Sequence, residues 1–202
     1  MAKIAKTCDF LVAGGGVIGI SLAKALAASF PDSMIKILEA EPKLGAHASG
    51  RNSGVLHAGF YYSTESLKAK FCRLGCAAWH EFADEHKIPV LKCGKLVTAR
   101  NETEMEYLYD LYEQGKINKV KLELIKRSEA MKMEPTLSGH GDDVIYSPTT
   151  AVIDIDAALK TLKDTLPSNV EIVYGAKLLS TETKGGVTYN EVELANEGSV
   201  SF

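Results

Sequence analysis

Three glycines near the N-terminus constrain the fold more than any other feature of this sequence. Gly14, Gly16 and Gly19 form the pattern G-x-G-x-x-G, directly after the apolar run "DFLVA" and at the start of "VIGISLAKALAASF". The first run predicts a short buried strand and the second an amphipathic helix. Glycine-rich turns are common, but a turn between a strand and a helix is the context in which this pattern binds a dinucleotide.

The residues after the glycines complete a βαβ unit. Ile18, Leu22 and Leu26 recur at helical spacing, and Pro31 follows the helix. The apolar run "MIKILEA" then predicts a second strand, parallel to the first because a helix connects the two. Glu39 ends this strand, twenty positions after the last glycine, where the dinucleotide pattern requires an acidic residue.

Each part of this motif has a role in binding a dinucleotide. Gly14 permits the tight turn, Gly16 leaves room for the pyrophosphate, and Gly19 lets helix and strand pack closely. The first helical residues, Val17 and Ile18, lie at the positive end of the helix dipole, which favours phosphate.

The acidic end of the second strand completes the predicted site. Glu39, with Ala40 beside it, can accept hydrogen bonds from the adenosine ribose hydroxyls. The alternative is a glycine-rich turn that holds no ligand, and the pattern alone does not separate NAD from FAD.

A long loop and a long helix follow the βαβ unit. The loop runs from Glu41 to His57, and loops of this length inside a compact domain are often functional. Apolar residues then recur every three or four positions, among them Leu67, Phe71 and Leu74, which predicts a helix from about Thr64 to His86.

The rest of the chain alternates helices with short strands. We predict a helix from Asn101 as N-cap to Gly115 as stop, and further helices over "SEAMKMEP" and "DIDAALKTLKDTL". The runs "GKLVTAR", "DDVIYS", "TAVID" and "VEIVYG" predict strands. The tail, Ala176 to Phe202, alternates polar and apolar residues in three runs and predicts an antiparallel meander.

Composition is typical of a globular protein. Hydrophobic residues make up 46% and charged residues 24% of the 202 positions, and the formal net charge is −3. No run is strongly basic, so we expect no nucleic-acid partner. The four cysteines contain no C-x-x-C pair, so we expect buried thiols and no metal site. No apolar run reaches the length of a membrane span, and peripheral membrane contact stays open.

The loop carries the resemblance that identifies a family. From Gly45 to Gly54 nearly every residue is small or forms hydrogen bonds, and the loop continues as "SGRNSGVLHAGFYY". It resembles the D-amino-acid-oxidase-like superfamily of FAD-dependent oxidoreductases, and within it most closely the L-2-hydroxyglutarate dehydrogenase (oxidase) family. The segments "KAKFCRLG", "CGKLVTAR", "MEP" and "YSPTTAVIDIDAAL" agree with that family. The resemblance runs from about Asp9 to about Gly175 and implies FAD as the cofactor.

The resemblance also implies the fold. We expect an α/β protein with a Rossmann-like FAD-binding domain, formed by residues 1–90 and 150–202 with the meander. Residues 91–149 would be an insertion, the start of an α+β antiparallel-sheet substrate-binding domain. Members of this family are considerably longer, so we expect that the remainder of the fold is absent and that the chain is a fragment.

The polar half of the loop is expected to pass along the cofactor. The resemblance implies FAD contacts, beyond the glycine turn and Glu39, from Ser49, Gly50, Arg51, Asn52, Ser53 and Gly54. Arg51 would offset the pyrophosphate charge, or else be a surface arginine. Asn52 and Ser53 would bind the cofactor, or else cap a turn.

The second half of the loop is expected to approach the flavin ring. His57 is the candidate catalytic base, because an imidazole can accept a hydroxyl proton near neutral pH. A flavin hydrogen bond or a buried structural histidine are the alternatives. Tyr61 and Tyr62 would line the substrate side, or else pack as aromatic residues.

The resemblance implies oxidation of an L-2-hydroxy acid, namely L-2-hydroxyglutarate, to 2-oxoglutarate. The hydride would pass to flavin N5, and a quinone or oxygen would be the electron acceptor. The alternatives are a flavin oxidoreductase acting on an amino acid, an amine or glycerol 3-phosphate, a truncated dinucleotide-binding fragment without catalysis, and, more distantly, an NAD-dependent dehydrogenase. The protein would be cytoplasmic or peripheral to the inner membrane in a bacterium, and mitochondrial in a eukaryote.

Overall fold

A computed structural model describes residues 7–195 and 198–201 of the chain. Its strands are β1 Phe10–Ala13, β2 Ile35–Glu39, β3 Val55–Leu56, β4 Val90–Leu91, β5 Lys95–Ala99, β6 Glu123–Lys126, β7 His140–Ser147, β8 Ala151–Ile153, β9 Val170–Tyr174, β10 Ala176–Lys184, β11 Val187–Leu194 and β12 Gly198–Ser201. Its helices are α1 Val17–Ser29, α2 Leu67–His86, α3 Glu102–Ile117, α4 Arg127–Met133 and α5 Ile155–Asp164.

The chain forms two compact units, residues 1–52 together with 155–202, and residues 53–154. These limits differ from the domain limits predicted at residues 90 and 150. The reason is that β8 pairs with both β3 and β4, and these pairings hold residues 53–90 to the residues that precede α5. The roles that we assigned to the two predicted domains stay predictions.

The first unit contains the predicted βαβ unit. β1 pairs with β2 in parallel, and β2 pairs in parallel with β9, so β2 is the central strand of a three-stranded sheet. The first pairing is the parallel pairing predicted from the sequence, and β9 is the strand predicted over "VEIVYG". Val12, Ile35 and Ile37 of this sheet pack with Ala23 and Ala27 of α1 to form the core.

Helix α1 packs through one isoleucine and two alanines. Ile20, Ala23 and Ala27 are buried, and alanine allows the helix backbone to approach the sheet closely. The apolar stripe that we used to predict the helix points elsewhere, because Ile18 is 81% exposed and Leu22 is 49% exposed. Leu26, the third residue of that stripe, is partly buried and packs against the core, so the periodicity predicted the helix correctly but only part of the face that packs.

The end of the first unit is the predicted antiparallel meander, in the strand order β10–β11–β12. β10 pairs with β11 from Ala176 opposite Leu194 to Lys184 opposite Val187, with one irregularity near Leu178. Val192 and Leu194 pack with Leu38 of β2, so the meander shares a core with the parallel sheet.

The second unit contains two antiparallel sheets of three strands, β3–β8–β4 and β5–β7–β6. We predicted β5, β7 and β8 but not β3, β4 or β6, and two of these are only two residues long. No helix within residues 7–195 is long and apolar enough to cross a membrane.

Helix α2 of this unit also exposes its apolar stripe. It begins at Leu67, three residues later than predicted, because the Ser66 Oγ accepts a hydrogen bond from Ala69 N–H at 3.1 Å and caps the helix. Leu67 and Phe71 are 68% and 62% exposed, and Leu74 is exposed as well. The buried positions hold small residues, namely Ala69, Cys76 and Ala83.

Helix α3 confirms one predicted boundary and corrects the other. The side chain of Asn101 accepts a hydrogen bond from Glu104 N–H at 2.9 Å, as expected for an N-cap. Gly115 does not stop the helix, which continues to Ile117. A side chain at Gly115 would collide with Leu122, so this glycine serves close packing.

Candidate dinucleotide-binding site

The glycine turn begins where β1 ends. Gly14 has a φ of +101°, a conformation that side chains disfavour, and its N–H donates to the carbonyl oxygen of Leu38 at 2.8 Å. This hydrogen bond ties the turn to β2. The turn therefore lies beside the end of the strand that carries Glu39.

The other glycines are required by their close neighbours. A Cβ at Gly19 would collide with the carbonyl oxygen of Gly14, and a Cβ at Gly16 would lie 3.0 Å from Ser49 Oγ. A Cβ at Gly15 would collide with Leu44. The pattern treats Gly15 as a variable position, so sequence reasoning missed the requirement for glycine there.

The N-terminus of α1 is open to an anion. Its N-cap residue, Gly16, offers no side-chain cap, and the first helical turn carries no acidic residue. The N–H of Val17 donates to Ser49 Oγ at 3.0 Å, which ties the loop to the helix start. Ile18 is exposed next to it. The positive end of the helix dipole therefore meets no carboxylate from its own first turn.

Glu39 is a buried carboxylate that holds two backbone segments. Its Oε2 accepts a hydrogen bond from Gly15 N–H and its Oε1 accepts one from Glu41 N–H, both at 2.8 Å. An ionised carboxylate has about four acceptor positions. Two therefore remain for the hydroxyl groups of a ligand such as a ribose.

A cleft of about 430 Å³ lies beside the glycine turn and Glu39. Among the predicted cofactor-binding residues, the cleft brings together Gly14, Gly16, Glu39, Ala40 and Ser49.

Sequence reasoning missed the other residues that line this cleft. They are Ala13, Leu38, Gly45, Ala46, His47, Ala48, Ala176, Lys177 and Leu178. Residues 176–178 follow β9, which lies beside β2. The rule that ligands bind at the carboxyl ends of parallel strands could have found them.

The loop from residue 41 to residue 52 is held by its own hydrogen bonds. Gly45 N–H donates to Gly15 O at 3.0 Å, and His47 Nε2 lies 3.0 Å from Glu41 Oε1. The amide of Asn52 donates to the carbonyl oxygens of residues 48 and 49 at 2.9 and 3.0 Å, as in the turn-capping alternative.

Two predicted residues of this loop line a different cleft. Gly50 and Arg51 border a cleft of about 410 Å³ that also includes Asp156, Lys160 and Lys163 of α5. Neither of the two lines the cleft with Glu39.

The remaining predicted residues belong to the second unit. Ser53 is exposed and Gly54 is buried, with its carbonyl oxygen accepting a hydrogen bond from Ile153 N–H at 2.9 Å. His57 directly follows β3, and its side chain is exposed.

The two candidate substrate tyrosines each lie beside a lysine. The Lys95 ammonium is 4.5 Å from the centre of the Tyr61 ring, and the Lys68 ammonium is 4.4 Å from that of Tyr62. Burial raises the pKa of Tyr62, and the neighbouring Cys72 thiol adds to this shift. The Tyr62 phenol therefore stays protonated and can donate a hydrogen bond.

The geometry of the first unit fits the ADP half of a dinucleotide. The glycine turn leaves space at the backbone, the helix N-terminus is open, and Glu39 retains free acceptor positions. Fold and site together define a protein of the dinucleotide-binding class.

Comparison with known proteins identifies the family. The family model described as FAD dependent oxidoreductase matches residues 9–200, and the chain belongs to this family. This result confirms the family resemblance that the loop carries. It also confirms the α/β fold, and it confirms FAD, rather than NAD, as the cofactor of the family.

Curated relatives carry one enzyme name. The chain is 37% identical over 183 residues to the L-2-hydroxyglutarate dehydrogenase of Escherichia coli (strain K12), which covers 89% of this chain and 42% of that protein. It is 37% identical over 191 residues to the mitochondrial L-2-hydroxyglutarate dehydrogenase of Homo sapiens, which covers 94% of this chain and 38% of that protein. The chain therefore spans about two fifths of the length of these relatives.

Solved structures share the fold. L-α-glycerophosphate oxidase from Mycoplasma pneumoniae with FAD bound aligns with a TM-score of 0.80 and 28% identity, over 96% of this chain and 51% of that chain. Glycine oxidase from Geobacillus kaustophilus aligns with a TM-score of 0.79 and 21% identity, over 98% of this chain and 54% of that chain.

The packing of the glycine turn makes a prediction about stability. Gly19→Ala places a methyl group against the Gly14 carbonyl oxygen and should lower the free energy of unfolding by roughly 1–3 kcal/mol. Gly75→Ala is the matched control, because Gly75 lies within α2 with open space around it, and should raise that free energy by up to about 1 kcal/mol. Urea denaturation measures both, and equal shifts in the same direction would contradict the prediction.

Proposed function

We propose that this chain is part of a FAD-dependent enzyme that oxidises an L-2-hydroxy acid, with L-2-hydroxyglutarate as substrate and 2-oxoglutarate as product. The observation that carries the proposal is 37% identity, over 89% of this chain, to a protein named L-2-hydroxyglutarate dehydrogenase. The glycine turn and the buried Glu39 carboxylate supply the dinucleotide site that such a reaction needs.

Five residues are proposed to bind the adenosine and pyrophosphate half of FAD: Gly14, Gly16, Glu39, Ala40 and Ser49. Their shared position around one cleft supports this assignment. Within that cleft, the free acceptor positions of Glu39 would bind the ribose hydroxyls. The open helix N-terminus would bind the pyrophosphate through its backbone N–H groups.

The other predicted FAD contacts are proposed on weaker structural support. Val17 and Ile18 form the start of α1. Gly19 has no side chain that would collide with the carbonyl oxygen of Gly14, so the helix can begin directly beside the glycine turn. The segment from Gly50 to Gly54 is proposed to continue along the cofactor toward the flavin. Arg51 would supply positive charge on that path.

Bound FAD supplies an acceptor, at its N5 atom, for the hydride that leaves C2 of the substrate. His57 is proposed to be the base: an imidazole nitrogen takes the hydroxyl proton as the C2–O bond becomes double. Its exposed side chain supports this role, because a base must be accessible to the substrate. Tyr61 and Tyr62 are proposed to line the substrate side.

One alternative substrate class has its own support. The 28% identity and TM-score of 0.80 to an L-α-glycerophosphate oxidase favour glycerol 3-phosphate as the second candidate, ahead of an amino acid or an amine. A dinucleotide-binding module without catalysis is the third candidate, because the chain spans only 42% of its Escherichia coli relative.

The electron acceptor is proposed to be a quinone or oxygen. If it is a quinone, peripheral membrane contact is proposed as well. The relatives include bacterial proteins and proteins named as mitochondrial. A cytoplasmic or inner-membrane-associated place is therefore proposed for a bacterial source, and a mitochondrial place for a eukaryotic one.

The choice of substrate has a direct spectroscopic test. The purified protein with FAD bound should be yellow and should lose its flavin absorbance anaerobically when L-2-hydroxyglutarate is added. D-2-hydroxyglutarate is the matched control, because it offers the same groups with the opposite configuration at C2. Bleaching by glycerol 3-phosphate or an amino acid instead would favour the alternative class, and bound flavin that no substrate bleaches would favour the module without catalysis.

The role of Glu39 predicts a specific loss of FAD affinity. Glu39→Gln keeps the shape of the side chain but turns an amide NH₂ toward one of the two backbone N–H donors. A hydrogen bond to a charged group contributes about 1.5–3 kcal/mol, so the Kd for FAD should rise at least about tenfold. Fluorescence titration measures this Kd. Glu41→Gln, which changes a neighbouring carboxylate outside the cleft, should leave it nearly unchanged.

The role of His57 predicts a loss of rate without loss of cofactor. His57→Gln should lower kcat by about a hundredfold or more, while FAD content stays the same. His140→Gln, at another exposed histidine of the same unit, is the control. A kcat close to that of the wild type in His57→Gln would assign the base to another residue.

A further inference from the structure

The loop after β2 and helix α5 form a cleft that differs from the cleft beside Glu39. It measures about 410 Å³, and all of its lining residues belong to the first unit. Gly45 and Ala46 line both clefts, so this short segment has one cleft on each side. Sites for small organic molecules measure roughly 300–1,000 Å³. The cleft is therefore large enough for a ligand of its own.

Two glycines allow the loop to pack closely against α5. Gly45 has a φ of +65°, which side chains disfavour, and a Cβ there would collide with the side chain of Leu159. A Cβ at Gly50 would collide with the carbonyl oxygen of Gly45. Because the backbone approaches the helix this closely, the loop positions that carry Lys43 and Arg51 are held near α5.

The lining of the cleft is strongly basic. Lys43 and Arg51 line it from the loop, and Lys160 and Lys163 line it from α5. Asp156 is the one carboxylate among the lining residues that the structure describes. The lining therefore carries a formal charge of +3, in a chain whose formal net charge is −3. A concave surface with one excess sign of charge attracts ligands of the opposite sign.

Most of these cations have no anionic partner in the protein. Lys160 pairs with Asp164 at 2.5 Å. The side chains of Lys43 and Arg51 form no ion pair or hydrogen bond within the described part of the chain, and Lys163 forms no ion pair there. An anion can therefore bind to these three side chains without first breaking an ion pair.

The rest of the lining suits an organic group. Leu44 and Leu159 are partly buried, and the Tyr174 ring is 38% exposed, with the Lys163 ammonium 5.8 Å from its centre. A phosphate group carries a charge of about −1.5 to −2 at pH 7, which complements the excess of positive charge. A phosphate ion alone would leave the apolar surface uncovered, whereas a phosphate ester has an organic part that covers it.

We propose that this cleft binds a small phosphate ester while FAD occupies the cleft beside Glu39. The phosphate oxygens accept hydrogen bonds from the lysine ammonium groups, and the organic part lies against Leu159 and Tyr174. The proposal rests on the three lysines, because Arg51 is also a proposed FAD contact. It is independent of the substrate, because no proposed catalytic residue lines the cleft.

Calorimetric titration with ADP tests the proposal on the protein with FAD bound and free FAD in excess. The excess FAD keeps ADP out of the cleft beside Glu39, and the adenine ring of ADP can stack on Tyr174. ADP should bind with a Kd below about 1 mM. Added salt should weaken the binding, because salt screens exposed charges. Inorganic phosphate lacks the organic group and should bind at least about tenfold more weakly than ADP.

Three variants assign the binding to this cleft. Lys43→Gln and Lys163→Gln should each raise the Kd for ADP about threefold or more, because each removes a positive charge that lines the cleft. Asp156→Asn should lower the Kd, because it removes a negative charge from the lining. Lys70→Gln is the matched control, at an exposed lysine of α2 outside the cleft, and should leave the Kd unchanged.

Four results would overturn the proposal. The first is release of FAD as ADP binds, which would place ADP in the cleft beside Glu39. The second is equal affinity for ADP and inorganic phosphate, or no binding of ADP at millimolar concentration. The third is an equal rise of the Kd in Lys43→Gln, Lys163→Gln and Lys70→Gln. The fourth is tighter binding of 2-oxoglutarate than of ADP, which would make a dicarboxylate the ligand.

Discussion

The carboxylate of Glu39 is the interaction on which the candidate site depends. It accepts hydrogen bonds from Gly15 and Glu41 at 2.8 Å each, and so joins the glycine turn after β1 to the loop after β2. Bonds to a buried charged group are worth more than neutral ones, because the charge would otherwise lack the solvation that water provides. Removing this carboxylate would take one hydrogen bond from each segment, while the bonds from Gly14 to Leu38 and from Gly45 to Gly15 would remain. One side chain therefore contributes to holding both walls of the cleft.

Close packing around that carboxylate explains why the turn is made of glycine. Each of Gly15, Gly16 and Gly19 faces a different neighbour that a Cβ would crowd: Leu44, Ser49 and the carbonyl oxygen of Gly14, respectively. The same absence of side chains leaves the N-terminus of α1 without a cap from its N-cap residue, Gly16. Structural and ligand-binding requirements therefore coincide in one short segment, and this is why the spacing of three glycines is so informative.

Sequence patterns predicted the elements better than they predicted the packing. The stripes through Ile18 and Leu22 in α1, and through Leu67 and Phe71 in α2, correctly indicated helices, yet these side chains are exposed. Periodicity states which residues share a helix face, but it does not state which face finds a partner. Here the buried positions of both helices are mostly alanines, and in α1 Ala23 and Ala27 allow a close approach to the sheet.

The sequence by itself determined the βαβ unit, the Asn101 cap, the antiparallel meander and the family, because these depend on local spacing and on a characteristic loop. Only the tertiary structure decided that residues as far apart in the sequence as Gly45 and Leu178 both line the cleft with Glu39, since β9 pairs beside β2. It also decided that Arg51 borders another cleft, and that residues 53–90 fold with the later strands. Long-range strand pairing sets these outcomes, and the local patterns do not encode pairings between strands so far apart in the sequence.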